Sequence, residues 1–298
     1  MNGTSSMPTS EDCLRSTGDQ SDRHAFVADE SCKPYLGLEH VSTSFGSNQV
    51  LDDVSFQVMP GETVCVLGRS GVGKSVCLRI LMGFLKPDAG RVIAAGEDIT
   101  EYSEEELRCV HKKVTMVFQN GALFDSLTVW DNVAFPLRER GALDEERISP
   151  VVDELLERVG AKHIGGLLPS QISTGMKRSV AIARALAAKP KAVLFDEPTT
   201  MVDPLMARRL GGLIEKLKLQ LKLTSVVVTH DMRLAEKLAD HVVFLDRGKV
   251  IFCGTPADMN RSRERIVQQF LQLDRLDLRA LVSTIGPPAQ NAGMTRNK

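Results

Sequence analysis

The stretch Gly68-Arg69-Ser70-Gly71-Val72-Gly73-Lys74-Ser75 matches the phosphate-binding pattern G-x-x-x-x-G-K-[ST] at every specified position. Upstream, Val64-Cys65-Val66-Leu67 is a short apolar run suited to a buried strand. Downstream, Val76 to Met82 suits a helix packed on one face. Glycines let successive backbone N–H groups turn inward around a β-phosphate, and a helix beginning near Lys74 aims the positive end of its dipole at the same point. In that geometry the Lys74 ammonium reaches the β- and γ-phosphates and the Ser75 hydroxyl ligates Mg²⁺. A glycine-rich turn that merely joins strand to helix is the plainer alternative, and the complete match in its proper context argues against it.

Back toward the N-terminus, Leu36-Gly37-Leu38-Glu39-His40-Val41 alternates as a strand does and Phe45-Gly46 marks a turn. Val50 to Val58 reads as a second strand, and Pro60-Gly61-Glu62 turns the chain into the strand before the loop. Two short strands in this position predict a small antiparallel β subdomain. Residues 1 to about 33 are rich in Ser, Thr, Asp and Glu and lack apolar periodicity, so they read as a disordered tail. Beyond the loop, Lys86-Pro87-Asp88-Ala89-Gly90 signals a turn, Arg91 to Ala95 a strand, and Ser103 caps a short helix from Glu104. Val114 to Phe118 is a β-prone run ending in Gln119. An amide there can point at Mg²⁺ and an attacking water; a surface glutamine at a strand end is the other reading.

Asp144 to Ala187 is mostly helical by periodicity, with Val151, Val152, Leu155, Leu156 and Val159 on one face. Within it, Gln171-Ile172-Ser173-Thr174-Gly175-Met176-Lys177-Arg178 offers Ser173 or Thr174 as the cap of a helix running to Ala188. That helix end is a second anion site. Ala192-Val193-Leu194-Phe195-Asp196-Glu197-Pro198 is a buried strand that delivers two adjacent acids, a costly placement unless a cation or substrate offsets them. Asp196 would hold Mg²⁺ through water, and Glu197 would polarise the attacking water. An acid pair that simply ends the strand in solvent is the alternative. Ser225 to Thr229 is another buried strand, and it brings His230 to the end where open α/β sheets collect ligands. Val242 to Phe252 reads as a hairpin, and Thr255-Pro256 opens a helix. Ile266, Val267, Phe270, Leu271, Leu273, Leu276 and Leu281 then form an apolar series to about Val282, ahead of a frayed tail from Ser283.

At 298 residues, 43% hydrophobic and 25% charged, the chain can bury a large core. A formal net charge of -1 gives no global electrostatic argument for nucleic acid. The six cysteines show no C-x-x-C pair or metal-like spacing, which suits a reduced, cytosolic chain. No apolar stretch approaches the roughly 18 residues a membrane span needs, and the N-terminus lacks a signal pattern, so any membrane role depends on a partner.

In this order, the P-loop, Gln119, Ser173-Thr174-Gly175-Met176-Lys177, the Asp196-Glu197 pair and His230 resemble the nucleotide-binding subunits of ATP-binding cassette (ABC) transporters, over about Leu36 to Leu271. The resemblance implies an α/β fold: a P-loop NTPase ABC cassette with a RecA-like core, an antiparallel β subdomain and a helical signature subdomain. It implies an ATPase domain at residues 35–255, with the helical subdomain at about 120–188. A tail at 1–34 precedes this domain, and a helical extension and tail at 256–298 follow it. ATP and Mg²⁺ are the implied cofactors. The implied assembly is a head-to-tail homodimer that holds each ATP between Gly68 to Ser75 of one subunit and Ser173, Thr174 and Gly175 of the other. By the same resemblance Phe45 stacks on adenine, Glu197 is the catalytic base, Gln119 serves the metal and water, His230 contacts the γ-phosphate and Asp203 crosses the dimer interface.

A finer likeness runs from Phe118-Gln119-Asn120-Gly121 through Trp130-Asp131-Asn132-Val133 to Arg138-Glu139. Gly175-Met176-Lys177-Arg178 and Val267-Gln268-Gln269-Phe270-Leu271 share it. It is to ATPases of the Mla/Mkl type, which serve permeases and MCE-domain proteins in bacterial lipid trafficking. The implied partners are an integral-membrane permease docked on Gln119 to Glu139 and an MCE-domain lipid-binding protein, with no nucleic acid. The implied place is peripheral, on the cytoplasmic face of the inner membrane. A small-solute or amino-acid importer, or a non-transport ATPase of cell-envelope signalling, would use the same engine. Three departures from the family pattern stand out: Thr174 where Gly is usual, Met201 where a small residue is usual, and Phe45 for the commoner Tyr. With Lys74, Asp196, Glu197 and His230 all present, a competent but slow ATPase is expected.

Overall fold

Alternation along the central strands decides the layering. The structure, a computed structural model, describes residues 33–141 and 144–273. The expected N-terminal tail lies outside these except for residues 33 and 34, as do Leu276, Leu281 and the tail from Ser283.

β1 (Leu36–Phe45) and β2 (Asn48–Val58) form an antiparallel hairpin around Gly46. β3 (Thr63–Leu67) leads into the P-loop and α1 (Lys74–Leu81). β4 (Ala89–Ala94) and the short β5 (Glu97–Asp98) complete a four-stranded antiparallel sheet in the order β2-β1-β4-β5. β4 begins at Ala89, ahead of the expected Arg91, because Gly90 sits at φ +96° where the register with β1 shifts. A Cβ at Gly90 would lie 2.4 Å from the carbonyl oxygen of His40, so only glycine lets the two strands meet there.

The second sheet has six strands in the order β10-β9-β3-β8-β7-β6. They are β6 (Val114–Val117), β7 (Ala192–Asp196), β8 (Thr224–Thr229), β9 (His241–Asp246) and β10 (Lys249–Gly254) beside β3. All pairs are parallel except β9 with β10. Side chains of β3 alternate between two cores. Val64 and Val66 face α1 and the antiparallel sheet, whereas Cys65 and Leu67 face the opposite layer. Leu194 against Phe195 and Val226 against Val227 divide in the same way, as strands buried on both faces must.

The opposite layer includes α6 (Pro204–Leu221) and α7 (Met232–Leu238). Neither helix is marked by periodicity alone, yet Asp203 at the N-cap with Pro204 behind it announces α6 locally. Residues 265–273 are helical, and they bury Val267 and Leu271 and set Phe270 edge-on to Phe244 with ring centroids 5.1 Å apart. A third core joins α3 (Val129–Glu139), α4 (Glu145–Arg158) and α5 (Thr174–Ala187). The stretch expected to be mostly helical from Asp144 to Ala187 is thus two α-helices, with short 3₁₀ turns at Lys162–Ile164 and Pro169–Gln171 between them. Among the described residues no helix is long and apolar enough to cross a membrane.

Candidate functional site

Four parallel strands end on the same side of the sheet, and each delivers a polar group there. β3 runs into the P-loop, β6 into Gln119, β7 into Asp196 and Glu197, and β8 into His230. A cleft of about 330 Å³ at these ends is lined by Ser70, Gly71, Gly73, Lys74, Ser75, Gln119, Glu197, Thr200 and His230, with Val50 and Val76 as its apolar wall. This is the crevice beyond the carboxyl ends of strands in which open α/β sheets hold ligands.

The loop has its shape because two glycines take conformations closed to other residues. Gly73, the N-cap of α1, has φ +104°, and a Cβ on it would lie 2.6 Å from Leu51. Gly68 has φ +149°, and its Cβ would lie 2.3 Å from the carbonyl oxygen of Leu245. The loop is therefore pressed against β2 on one side and β9 on the other.

Lys74 is 5% exposed, and its Nζ donates to the carbonyl oxygens of Gly68 at 2.8 Å and Arg69 at 2.9 Å. It also stands 3.5 Å from Glu197 Oε1. Burial pulls the Lys74 ammonium below its ordinary pKa, and the Glu197 charge opposes that pull. The Ser75 hydroxyl donates to Asp196 Oδ1 at 2.7 Å. Burial raises the Asp196 carboxyl, against the Ser75 hydrogen bond, and the neighbouring Glu197 charge raises it further. Burial works to raise Glu197 too. There, hydrogen bonds from Thr200 Oγ1 at 2.7 Å and His230 Nδ1 at 2.9 Å, with the charges of His230 and Lys74, outweigh it and hold the carboxyl below the usual range. The Glu197 hydrogen bond in turn raises His230, so each partner favours the charged form of the other.

The remaining anticipated residues lie outside this cleft. Phe45 is half-exposed at the end of β1. Ser173 caps α5, its Oγ accepting from Met176 N at 3.3 Å, and Thr174 is exposed on the first turn. Gly175 is buried against Met206, whose Cε would lie 2.8 Å from an added Cβ. Asp203 caps α6 by accepting from Met206 N at 3.0 Å. Two residues escaped the reading of the sequence. Thr200 bonds the Glu197 carboxylate, and its position three residues after the acid was the available signal. Arg178 reaches the backbone of the same turn from α5, and nothing local in the sequence announces that contact.

Residues 51–200 match the family described as ABC transporter. The intermembrane phospholipid transport system ATP-binding protein MlaF of Haemophilus influenzae is 39% identical over 237 residues, 80% of this chain and 90% of that protein. A Mycobacterium leprae protein named "Probable ribonucleotide transport ATP-binding protein mkl" is 37% identical over 241 residues, 81% of this chain and 70% of that one. Among solved structures, the dimeric post-hydrolysis state of the ATP-binding cassette MJ0796 with ADP and Pi superposes with a TM-score of 0.69 at 31% identity. It covers 74% of this chain and 98% of that one. Motif geometry, strand order and these likenesses agree, and the chain belongs to the ABC transporter family as an ATP-binding subunit of the Mla/Mkl type.

Proposed function

We propose that this ABC ATPase drives phospholipid transport, working as a head-to-tail pair of cassettes beneath an integral-membrane permease on the cytoplasmic face of the inner membrane. The convergence of Lys74, Glu197 and His230 on one cleft carries the catalytic part of this reading. The lipid part is supported by the 39% identity with MlaF.

In this mechanism the P-loop amides and the Lys74 ammonium bind the β- and γ-phosphates. Glu197, held ionised, takes a proton from the attacking water as its oxygen bonds to the γ-phosphorus. The bond to the β–γ bridging oxygen breaks, and its electron pair leaves with ADP, whose new charge Lys74 neutralises. His230 and Thr200 orient the carboxylate and hold it to one side of the cleft. The site suits a hard cation. Ser75, Gln119 and Asp196 offer oxygen donors only, and among the described residues no cluster of three or more His, Cys, Asp or Glu competes for one. Mg²⁺ bound there would neutralise phosphate charge, and such a sparse set fits a metal that takes few protein ligands plus substrate oxygens.

Ser173, Thr174, Gly175 and Asp203 do not line their own chain's cleft, and a head-to-tail pair would deliver them to the nucleotide held by the other copy. Phe45 would stack on its adenine. An MCE-domain protein completes the proposed assembly. A small-solute substrate is the second reading, favoured by the name of the Mycobacterium leprae relative.

The test is affinity capture of the tagged chain from its native membrane in mild detergent, with mass spectrometry of proteins and lipids. Recovery of a multi-span permease, an MCE-domain protein and phospholipid is expected. Recovery of a periplasmic solute-binding protein in their place would transfer the assignment to solute import.

A further inference from the structure

Arg178 lies in the first turns of α5, is 3% exposed and does not line the cleft. Its Nη1 donates to the Glu197 carbonyl at 3.3 Å, and its Nη2 donates to the Thr200 carbonyl at 3.1 Å. Its Nε–H is buried and finds no hydrogen-bond partner among the described residues.

Between those two carbonyls the chain makes the turn that aims the catalytic carboxylate. Glu197 has φ +46°, a left-handed conformation that is strained for a residue carrying a side chain, so the turn needs holding from outside. From the sheet side, Glu197 N donates to the Val228 carbonyl at 2.9 Å. Within the turn, Thr200 N donates to the Glu197 carbonyl at 3.3 Å, and Thr200 Oγ1 reaches the Glu197 carboxylate. From the helical layer, the guanidinium fork holds both ends at once. The same end of α5 presses on the far side of this segment, where Gly175 abuts Met206 and Met206 N is capped by Asp203.

We propose that Arg178 is a positioning residue that ties the Glu197 turn to the N-terminal turns of α5 and so sets the catalytic carboxylate of the same chain. This rests on the ATPase reading above. A planar, two-armed donor suits two carbonyls three residues apart, and a lysine, with a single point of charge, can hold one well and not both. The unpartnered Nε–H marks the arrangement as incompletely satisfied.

The experiment compares ATP hydrolysis by the full-length chain, purified with its membrane partner, as wild type, Arg178→Met and Arg178→Lys. Binding of a fluorescent ATP analogue and thermal midpoints are measured alongside. The expected result for Arg178→Met is a kcat reduced about tenfold or more, with KM and analogue affinity within about twofold. Arg178→Lys should recover part of the rate. A kcat within about twofold of wild type, or kcat and analogue affinity falling together, would overturn the proposal. If Arg178→Met does not fold, Arg178→Lys decides by the same split. A wild type no faster than Glu197→Gln defeats the ATPase reading and this proposal with it, whereas an active wild type with an equally active Arg178→Met defeats this proposal alone.

Discussion

His230 Nδ1 lies 2.9 Å from Glu197 Oε2, the oxygen that also accepts from Thr200, while the other carboxylate oxygen faces Lys74 at 3.5 Å. One oxygen is thus engaged by neighbours and the other is turned toward the phosphate loop. Glu197→Gln keeps the shape of this arrangement and removes the base. Its ATPase rate should fall roughly 10²- to 10⁴-fold with nucleotide affinity retained. A phosphate-release assay beside equilibrium nucleotide binding checks it, and a rate within a factor of a few of wild type would sink the assignment of Glu197 as base.

Gly68→Ala should disable the fold before it disables the chemistry. The new methyl would meet the Leu245 carbonyl at 2.3 Å, a backbone atom that cannot swing away. A loss of about 2–3 kcal/mol, seen in denaturant unfolding, is expected. Gly71→Ala is the control. That position also has a positive φ, at +83°, but nothing lies within 4 Å of the added carbon, so its penalty should be smaller and confined to backbone strain.

Asn132 is fully buried, and its side chain replaces backbone partners for the loop before α3. Its Oδ1 accepts from Phe124 N at 2.8 Å, and its Nδ2 donates to the carbonyls of Phe124, Leu127 and Thr128. Asn132→Ala removes these side-chain bonds, although the Phe124 and Thr128 carbonyls keep bonds from the backbone N–H groups of Leu127 and residue 132, and a destabilisation of about 1–3 kcal/mol follows. Thermal unfolding measures it. A loss under about 0.5 kcal/mol, the range of an ordinary surface change, would show the staple to be dispensable.

His241, at the start of β9, pairs with Glu62, which raises the imidazole pKa against the opposing effect of burial. A raised folded-state value makes the pair stabilising below the unfolded value of about 6.5, and that contribution is lost as pH rises through the folded value. His241→Gln keeps a hydrogen-bonding group and removes the charge. It should therefore cost about 1 kcal/mol near pH 6 and approach zero cost by pH 9. Urea unfolding at both pH values decides. A difference that grows with pH contradicts the assigned charge state.

Thr174 is exposed on the first turn of α5. Under the head-to-tail arrangement its methyl crowds the phosphate held by the other copy. Thr174→Gly should then raise kcat a few-fold with stability changed by less than about 1 kcal/mol. Steady-state kinetics that show an unchanged or lower kcat would remove Thr174 as the source of a slow engine.

The cleft was legible because its chemistry is local. Lys74 and Ser75 announce themselves within eight residues of sequence, and Asp196 and His230 each end an apolar run whose type is plain. The central strands were legible for the same reason, since burial on both faces leaves continuous Val-rich segments. What stayed hidden depends on distant parts meeting. Arg178 and Glu197 are separated along the chain, and only the packing of α5 on the β7 loop brings the guanidinium to those carbonyls. The early start of β4 was obscured because Gly90 reads as a turn residue in sequence, yet in the sheet it serves a close crossing with β1. In α6 the exposed Leu205, Leu219 and Leu221 blur the stripe formed by the buried Leu210, Ile214 and Leu217, and α7 is too short to show a period, so their caps were the better signal.

Gly73 is wedged against Val50 and Leu51, and Gly248 touches the same strand from the turn between β9 and β10, where a Cβ would fall 2.5 Å from the Val50 carbonyl. The hairpin that opens the described chain therefore supplies a side wall of the phosphate cradle, although Val50 is its single contribution to the lining. Transplanting the stretch from Thr63 onward into another scaffold would move every polar residue of the cleft and leave their buttress behind. Modular exchange between such proteins has to carry the hairpin along with the engine.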